Sequence, residues 1–257
     1  MTRIPRRWAN LRGPEVAERI GPDSIAIVAI GAIEQHGPHL PLDTDLVIAE
    51  RVATAAVDAA GDELDLWLLP SIAYSKSNEH AWAPGTIWLS PTTMLAMLEE
   101  LAASVAATKC RRLVLFNGHG GNSALLAVAL REIRLKHGLL TFLAHPAMPV
   151  DQGGASGGDE LGMGIHAGVD ETSLMLYLEP DSVEMSQAAR AVPEHLAAND
   201  HVRFGGRVVF GWLSNDFGAS GVIGDPTSAT AARGQELFEG AVADFTSALI
   251  EISDFRH

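Results

Sequence analysis

The chain has 257 residues, 47% of them hydrophobic, and its 32 acidic against 18 basic side chains give a formal charge of −14. A surface of that sign repels phosphate backbones and anionic lipid, which argues against nucleic acid or a membrane as partner. Single Cys110 leaves no internal disulfide and fits a reducing compartment, so a cytoplasmic protein is expected. The basic N-terminal stretch lacks the apolar core of a signal peptide, and no apolar run approaches a membrane span. Without a Pro/Ser-rich linker or a repeat, residues 1–257 read as one domain.

In chain order, Ser24 to Ile30 is apolar throughout, the pattern of a strand covered on both faces. Gly31 to Asp45 then presents Glu34, His36, His39, Asp43 and Asp45 between turn-forming Gly37, Pro38 and Pro41. A helix follows from Leu46 to Ala60, then a strand from Leu64 to Ile72, stopped near Pro70. Tyr74 to Ser90 is an irregular polar and aromatic loop with Lys76, Glu79, His80, Trp82 and Trp88. Ser90 caps a helix with Pro91 at its first position, running to about Thr108. Leu113 to Phe116 is a strand that opens into Asn117-Gly118-His119-Gly120-Gly121-Asn122. Ser123 to His137 is a helix ended by Gly138, and Leu139 to Ala144 a fourth strand. Beyond a Gly-rich loop from Pro146 to Met163, His166 to Ser173 leads into Leu174 to Leu178, whose pattern suits helix or strand. Val208 to Trp212 suits a strand, and Thr227 or Ser228 suits the cap of a last helix ending near Ile252. This alternation predicts βαβ units and a mainly parallel sheet, with its site beyond the carboxyl ends of the strands.

Both motif-bearing loops fall at that edge. Residues two apart in extended chain point the same way, so Glu34 and His36 can reach one centre, and Asp45 can fold back onto it. His119 leaves a neighbouring strand between glycines. An imidazole with two carboxylates and no thiolate suits Zn²⁺ or Mn²⁺. A second imidazole permits two ions about 3.5–4 Å apart that activate a water. Asp45 also suits a plain helix cap, Asp43 a turn, and His39 a supporting or surface position. Gly118, Gly120 and Gly121 do not complete a nucleotide-binding GxGxxG, because Ser123 occupies the last position. Glu79-His80 suits a substrate contact or an exposed pair, and Trp82 a substrate contact or a cover for the sheet edge.

Five ordered blocks resemble the creatininase (creatinine amidohydrolase) family. They are Glu34-Gln35-His36-Gly37-Pro38-His39-Leu40-Pro41 with Thr44-Asp45, Pro84-Gly85-Thr86, Phe116 to Asn122, His166-Ala167-Gly168 with Glu171-Thr172-Ser173, and Gly221 to Pro226. The resemblance implies a three-layer α/β/α fold, a binuclear centre of Zn and/or Mn (Fe being compatible), hydrolysis of a non-peptide C–N bond of a small amide, and a homohexamer. It implies Glu34, His36, Asp45 and His119 as metal ligands, with Asp45 bridging, and His166 as the proton-transfer residue. In creatininase the loop after the histidine reads His-Tyr-Glu-Asn, and its glutamate binds a metal. Gly121 stands there in this chain, and Glu171 is the expected replacement, as ligand or as a carboxylate serving catalysis. The tyrosine that meets creatinine is also missing, as Gly120, which makes creatinine an improbable substrate. Glu79, His80 and Trp82 are the expected substrate contacts. Other members of the family trim a mycofactocin precursor peptide, deformylate a pyrimidine or open a keto-sugar ring. A metal-free scaffold that kept the fold is the remaining alternative.

Overall fold

The computed structural model describes residues 6–148, 154 and 158–256. Four strands, β1 (Ile25–Ile30), β2 (Leu66–Leu68), β3 (Arg112–Asn117) and β4 (Leu140–Ala144), form a parallel sheet in the order β2-β1-β3-β4. β1 and β3 lie at its centre, in register from Ile25 opposite Arg112 to Ile30 opposite Asn117, and every residue of both is buried. Their uninterrupted apolar sequences follow from that position, because neither face meets water.

The two faces hold separate cores. Ala26, Val28 and Ile30 of β1 meet Met94, Leu98 and Val105 of α3 (Pro91–Ala106) and Leu126 and Ile133 of α4 (Ser123–His137). Ile25, Ile27 and Ala29 face the other way, onto Val52 and Val57 of α2 (Thr44–Ala60) and Phe245 and Leu249 of α7 (Ala231–Asp254). Phe116 stacks on Phe245 with ring centroids 4.1 Å apart, which joins α7 to β3. The three-layer α/β/α arrangement expected from the sequence is therefore present. Cys110 is buried, and its thiol donates to Ser24 O and Arg112 O at 3.3 and 3.2 Å.

Several boundaries differ from those read in the sequence. A short helix, α1 (Gly13–Arg19), was not foreseen. β2 covers only three residues of the expected Leu64 to Ile72. Hydrogen bonds to β1 continue at Leu69 and Ile72, and Pro70, which has no N–H, interrupts the ladder between them. Val208 to Trp212 is not a strand; Val208 makes one isolated bridge to Val202. α7 is capped by Thr230, whose side chain accepts from Arg233 N, while Thr227 and Ser228 belong to a separate 3-10 turn closed by Asp225. The ambiguous segment is helix α5 (Val169–Leu178), and α6 (Glu194–Ala197) adds one turn. Part of the Gly-rich loop from Pro146 to Met163 lies outside the described residues.

Candidate metal centre

The exits of β1 and β3 converge on the first turn of α2. Gly118 makes this approach possible: a Cβ there would lie 2.7 Å from Asp45 O and 2.8 Å from the Ala49 Cβ. With that gap closed, His119 comes to Asp45, which lies in the first turn of the helix with its side chain buried. Asp43 occupies the cap position but accepts no capping hydrogen bond.

Asp45 divides its oxygens between two histidines. Oδ1 is 3.1 Å from His36 Nε2, and Oδ2 is 2.9 Å from His119 Nδ1. On its other side, His119 Nε2 sits among three oxygens: Lys76 O at 3.1 Å, Glu34 Oε2 at 3.3 Å and Glu79 Oε1 at 3.4 Å. Glu34, fully buried, also receives the Ser77 hydroxyl at Oε2, and its Oε1 is 3.6 Å from His166 Nδ1. Among the described residues, donor atoms gather in three groups: Glu34–Asp45–His119, His36–Asp45–Glu171 and Glu34–His36–His166. Asp45 belongs to two of them.

Two observations test whether cations fit. Glu34 Oε1 is buried without a hydrogen-bond partner, and Asp45 Oδ2, though 2.9 Å from His119 Nδ1, accepts no well-directed hydrogen bond. Such atoms are costly unless something positive meets them. Six carboxylates line one cavity, those of Glu34, Asp45, Glu79, Glu160, Asp170 and Glu171, against the ammonium of Lys76. The nitrogen and oxygen donors suit zinc or manganese.

Between themselves these groups share protons. Burial, with Asp45 adding, pushes the Glu34 carboxyl up to about 8 against the pull of His119 and His36. Burial likewise raises Glu171 to about 7. Burial would lower His36, but the charge and hydrogen bond of Asp45 outweigh it and raise the imidazole to about 10. Burial opposes the rise of His119 too, and Glu34, Asp45 and Glu79 carry it well above its ordinary value. Burial opposes the ionisation of Asp45 as well, and His36 and His119 overcome it, holding the carboxyl below the usual carboxylate range. His80 and His166 go the other way. Burial, then the charge of neighbouring histidines, lowers His80 to about 3 and His166 well below its ordinary value.

The cavity above these groups measures about 430 Å³. His80 and His166 line it, with an apolar wall of Met148, Leu174, Phe204, Phe210 and Trp212. His166 Nε2 donates to Gln35 O at 2.7 Å, which leaves Nδ1 toward the centre. Ala167, next to it, has φ +53, a strained value for a residue with a side chain, and its N–H donates to Glu171 Oε2 at 2.6 Å. This turn brings His166 and Glu171 to the same cavity.

Most residues singled out in the sequence meet here: Glu34, His36, Asp45, Glu79, His80, His119, His166 and Glu171. His80 is buried, not an exposed pair, with Nδ1 accepting from the Gln35 amide at 2.9 Å. His39 is buried in a supporting position, 3.0 Å from the Thr172 hydroxyl. Trp82 lies outside the cavity lining; its indole N–H donates to Ser214 Oγ at 2.7 Å, bracing two loops. Three contributors escaped the sequence reading. Gln35 and Ser77 sit inside segments already flagged, and their polarity was the available signal. Glu160 had none: it is buried and ties Val169 N and Asp225 N at 3.0 and 2.6 Å, partners distant along the chain.

Residues 9–249 match the model of the family described as creatininase, creatinine amidohydrolase. The chain belongs to that family, and the fold and site define a metal-binding hydrolase. The mycofactocin precursor peptide peptidase of Mycobacterium tuberculosis is 38% identical over 226 residues, 85% of this chain and 81% of that protein. The creatinine amidohydrolase of Pseudomonas putida is 29% identical over 248 residues, 89% of this chain and 90% of the relative. A crystal structure of creatinine amidohydrolase matches the fold with a TM-score of 0.76 at 24% identity, covering 99% of this chain and 100% of the other.

Proposed function

We propose that this single-domain protein hydrolyses an amide-type C–N bond of a small molecule at a centre of two divalent cations, zinc or manganese, with iron compatible. The observation that carries this reading is Asp45, whose two oxygens face His36 and His119 at 3.1 and 2.9 Å and whose donor atoms belong to two of the three groups, so its carboxylate would serve both ions. Asp45 with Glu34 and His119 would hold one ion, and Asp45 with His36 and Glu171 the other. When bound, such ions acidify a water toward neutral pH and polarise a carbonyl.

The chain's own groups do the rest. His166 is neutral at physiological pH and presents Nδ1 to the cavity, so it can take a proton there and pass it to the departing nitrogen. Gln35 O fixes its tautomer. His80, with Nδ1 occupied by Gln35, turns Nε2–H into the cavity 3.5 Å from Glu34 Oε1, and we assign it to a hydrogen bond with the substrate. The apolar wall excludes water from the reacting face.

A second reading has its own support. The 38% identity to a precursor peptide peptidase and the aromatic wall of Phe204, Phe210 and Trp212 favour a peptide amide over a small cyclic one. We further propose a cytoplasmic homo-oligomer, a hexamer by resemblance to the family. Exposed Tyr74, Ile87 and Trp88, beside the Ser75–Trp88 bridge, are apolar surface that subunits would cover. Among the described residues no helix is long and apolar enough to cross a membrane.

The test is metal analysis of protein purified without chelator, then incubation of the loaded protein with cyclic amides and with short peptides, read by mass spectrometry. Fewer than about one equivalent of metal per chain favours a metal-free scaffold. Cleavage of peptides alone selects the second reading.

A further inference from the structure

Glu160 lies in the 3-10 turn Gly158–Glu160, is buried and lines the cavity, yet the reaction described above gives it no part. Its Oε1 accepts two backbone N–H groups from separate segments, Val169 N at 3.0 Å and Asp225 N at 2.6 Å. Val169 is the first residue of α5, and Asp225 precedes the 3-10 turn Pro226–Ser228. An N–H at the start of a helix has no carbonyl within the helix to meet it, so a buried one needs an acceptor from outside.

Three glycines close around this carboxylate. A Cβ at Gly164 would overlap Glu160 Oε2, one at Gly168 would overlap Oε1, and one at Gly224 would lie 2.7 Å from Oε1. Backbone conformation does not call for glycine at these positions. Gly168 has φ −89, and neither Gly164 nor Gly224 has a positive φ. What the three share is the space that they leave for Glu160.

The segments clasped in this way carry His166 and Glu171. His166 N donates to Ile223 O at 3.1 Å, and Ile223 N donates to His166 O at 2.9 Å. A few residues further along each segment, at Val169 and Asp225, the two meet again on Glu160 Oε1. Between these two fastenings stands Ala167 at φ +53, with its N–H on Glu171 Oε2. A residue in that conformation persists only where its surroundings fix it. Glu171 takes the N–H at the start of the turn, and Glu160 takes the one at its end.

We propose that Glu160 is a positioning residue of the site: through Val169 and Asp225 it holds the turn that aims His166 and Glu171 into the cavity, and Gly164, Gly168 and Gly224 are the residues that admit it. This rests on the metal-centre reading above, in which Glu171 with His36 and Asp45 would hold one ion.

The test reads metal content and affinity of the full chain, by elemental analysis and chelator competition with Zn²⁺ and Mn²⁺. It also reads kcat and KM on whichever cyclic amide or short peptide the wild type cleaves. Glu160→Leu removes the acceptor. It should bind one equivalent, the one that Glu171 serves, at least about tenfold more weakly, and lower kcat by at least about tenfold with KM little changed, which is the scale on which outer partners act. The equivalent held by Glu34, Asp45 and His119 should be retained. Glu160→Gln keeps an oxygen at full reach without the charge and should fall between the wild type and Glu160→Leu. Glu160→Asp keeps the charge but withdraws it by one methylene, and should resemble Glu160→Leu. If Glu160→Leu fails to fold, this last contrast decides: Gln above Asp supports the assignment, and Asp above Gln overturns it in favour of charge alone. Metal and kcat unchanged in Glu160→Leu overturn the assignment by itself. A raised KM at unchanged kcat also overturns it, and makes Glu160 a substrate contact. Equal weakening of both equivalents overturns it as a general loosening of the fold. Absence of metal from the wild type overturns the metal-centre reading, and the assignment with it.

Discussion

The floor of the cavity hangs from the sheet: Glu34 and His36 leave β1, His119 leaves β3, and Asp45 lies in the first turn of α2 against both. Its wall comes from elsewhere, with Phe204, Phe210 and Trp212 in a stretch that holds isolated turns and one bridge. Floor residues have no freedom. The strands they follow are buried on both faces, so the backbone that leads to each donor is held by the packed core. Wall residues hold one another instead, with Phe204 5.6 Å from both Phe210 and Trp212 between ring centroids. The difference teaches a division of labour: the sheet fixes the chemistry, and the loops fix what is admitted to it.

That division can be broken by substitution. Asp45→Asn strikes the floor hardest, because one side chain serves two donor groups. Bound metal should drop and kcat/KM fall by more than about 100-fold, as loss of a direct ligand outweighs loss of an outer partner. An Asp45→Asn protein with full metal and turnover would remove the basis of the comparison. His166→Ala should lower kcat by about 10²–10⁴-fold while bound metal stays unchanged. Loss of metal in that variant would move His166 from proton transfer to ligation, in line with its place 3.6 Å from Glu34.

Proton competition at the floor sets the third expectation. Glu171, Glu34 and His36 hold protons up to about 7, 8 and 10. A cation must displace those protons, so each protonated group makes affinity rise with pH, by up to about one log unit per pH unit below its pKa. Affinity should therefore climb from pH 6 toward 9, with protons released in calorimetry across buffers. A flat profile would show that cations are held elsewhere. The smallest effect belongs to the wall: Trp212→Ala should raise KM by about tenfold or shift substrate preference, at unchanged metal content. Metal loss in Trp212→Ala would mean that wall and floor are not separable.

Much of the floor was legible in the sequence because its donors cluster where apolar strands stop. The run Ile25 to Ile30 followed by Glu34, His36 and Asp45 marks a buried strand opening onto charge, and Phe116 followed by His119 repeats the sign. Glu79 shows where that reading stops. Its residue type and loop were noticed, but the hole at Gly121 that receives its carboxylate joins two segments some forty residues apart. Glu171, the expected replacement for the carboxylate missing at 121, brings its donor atom beside those of His36 and Asp45 from a distant segment of the chain.

By itself the sequence determined the layered fold, through strand runs with no polar break, and the kinds of atom the site offers. Tertiary structure alone decided which oxygen faces which nitrogen, that Glu160 ties Val169 to Asp225, and that the supposed strand at 208–212 is a wall. Periodicity is a local property and survives in one dimension. Distances between loop side chains depend on how α2, the 74–90 loop and the 199–217 segment pack over the strand ends, and no local pattern encodes that.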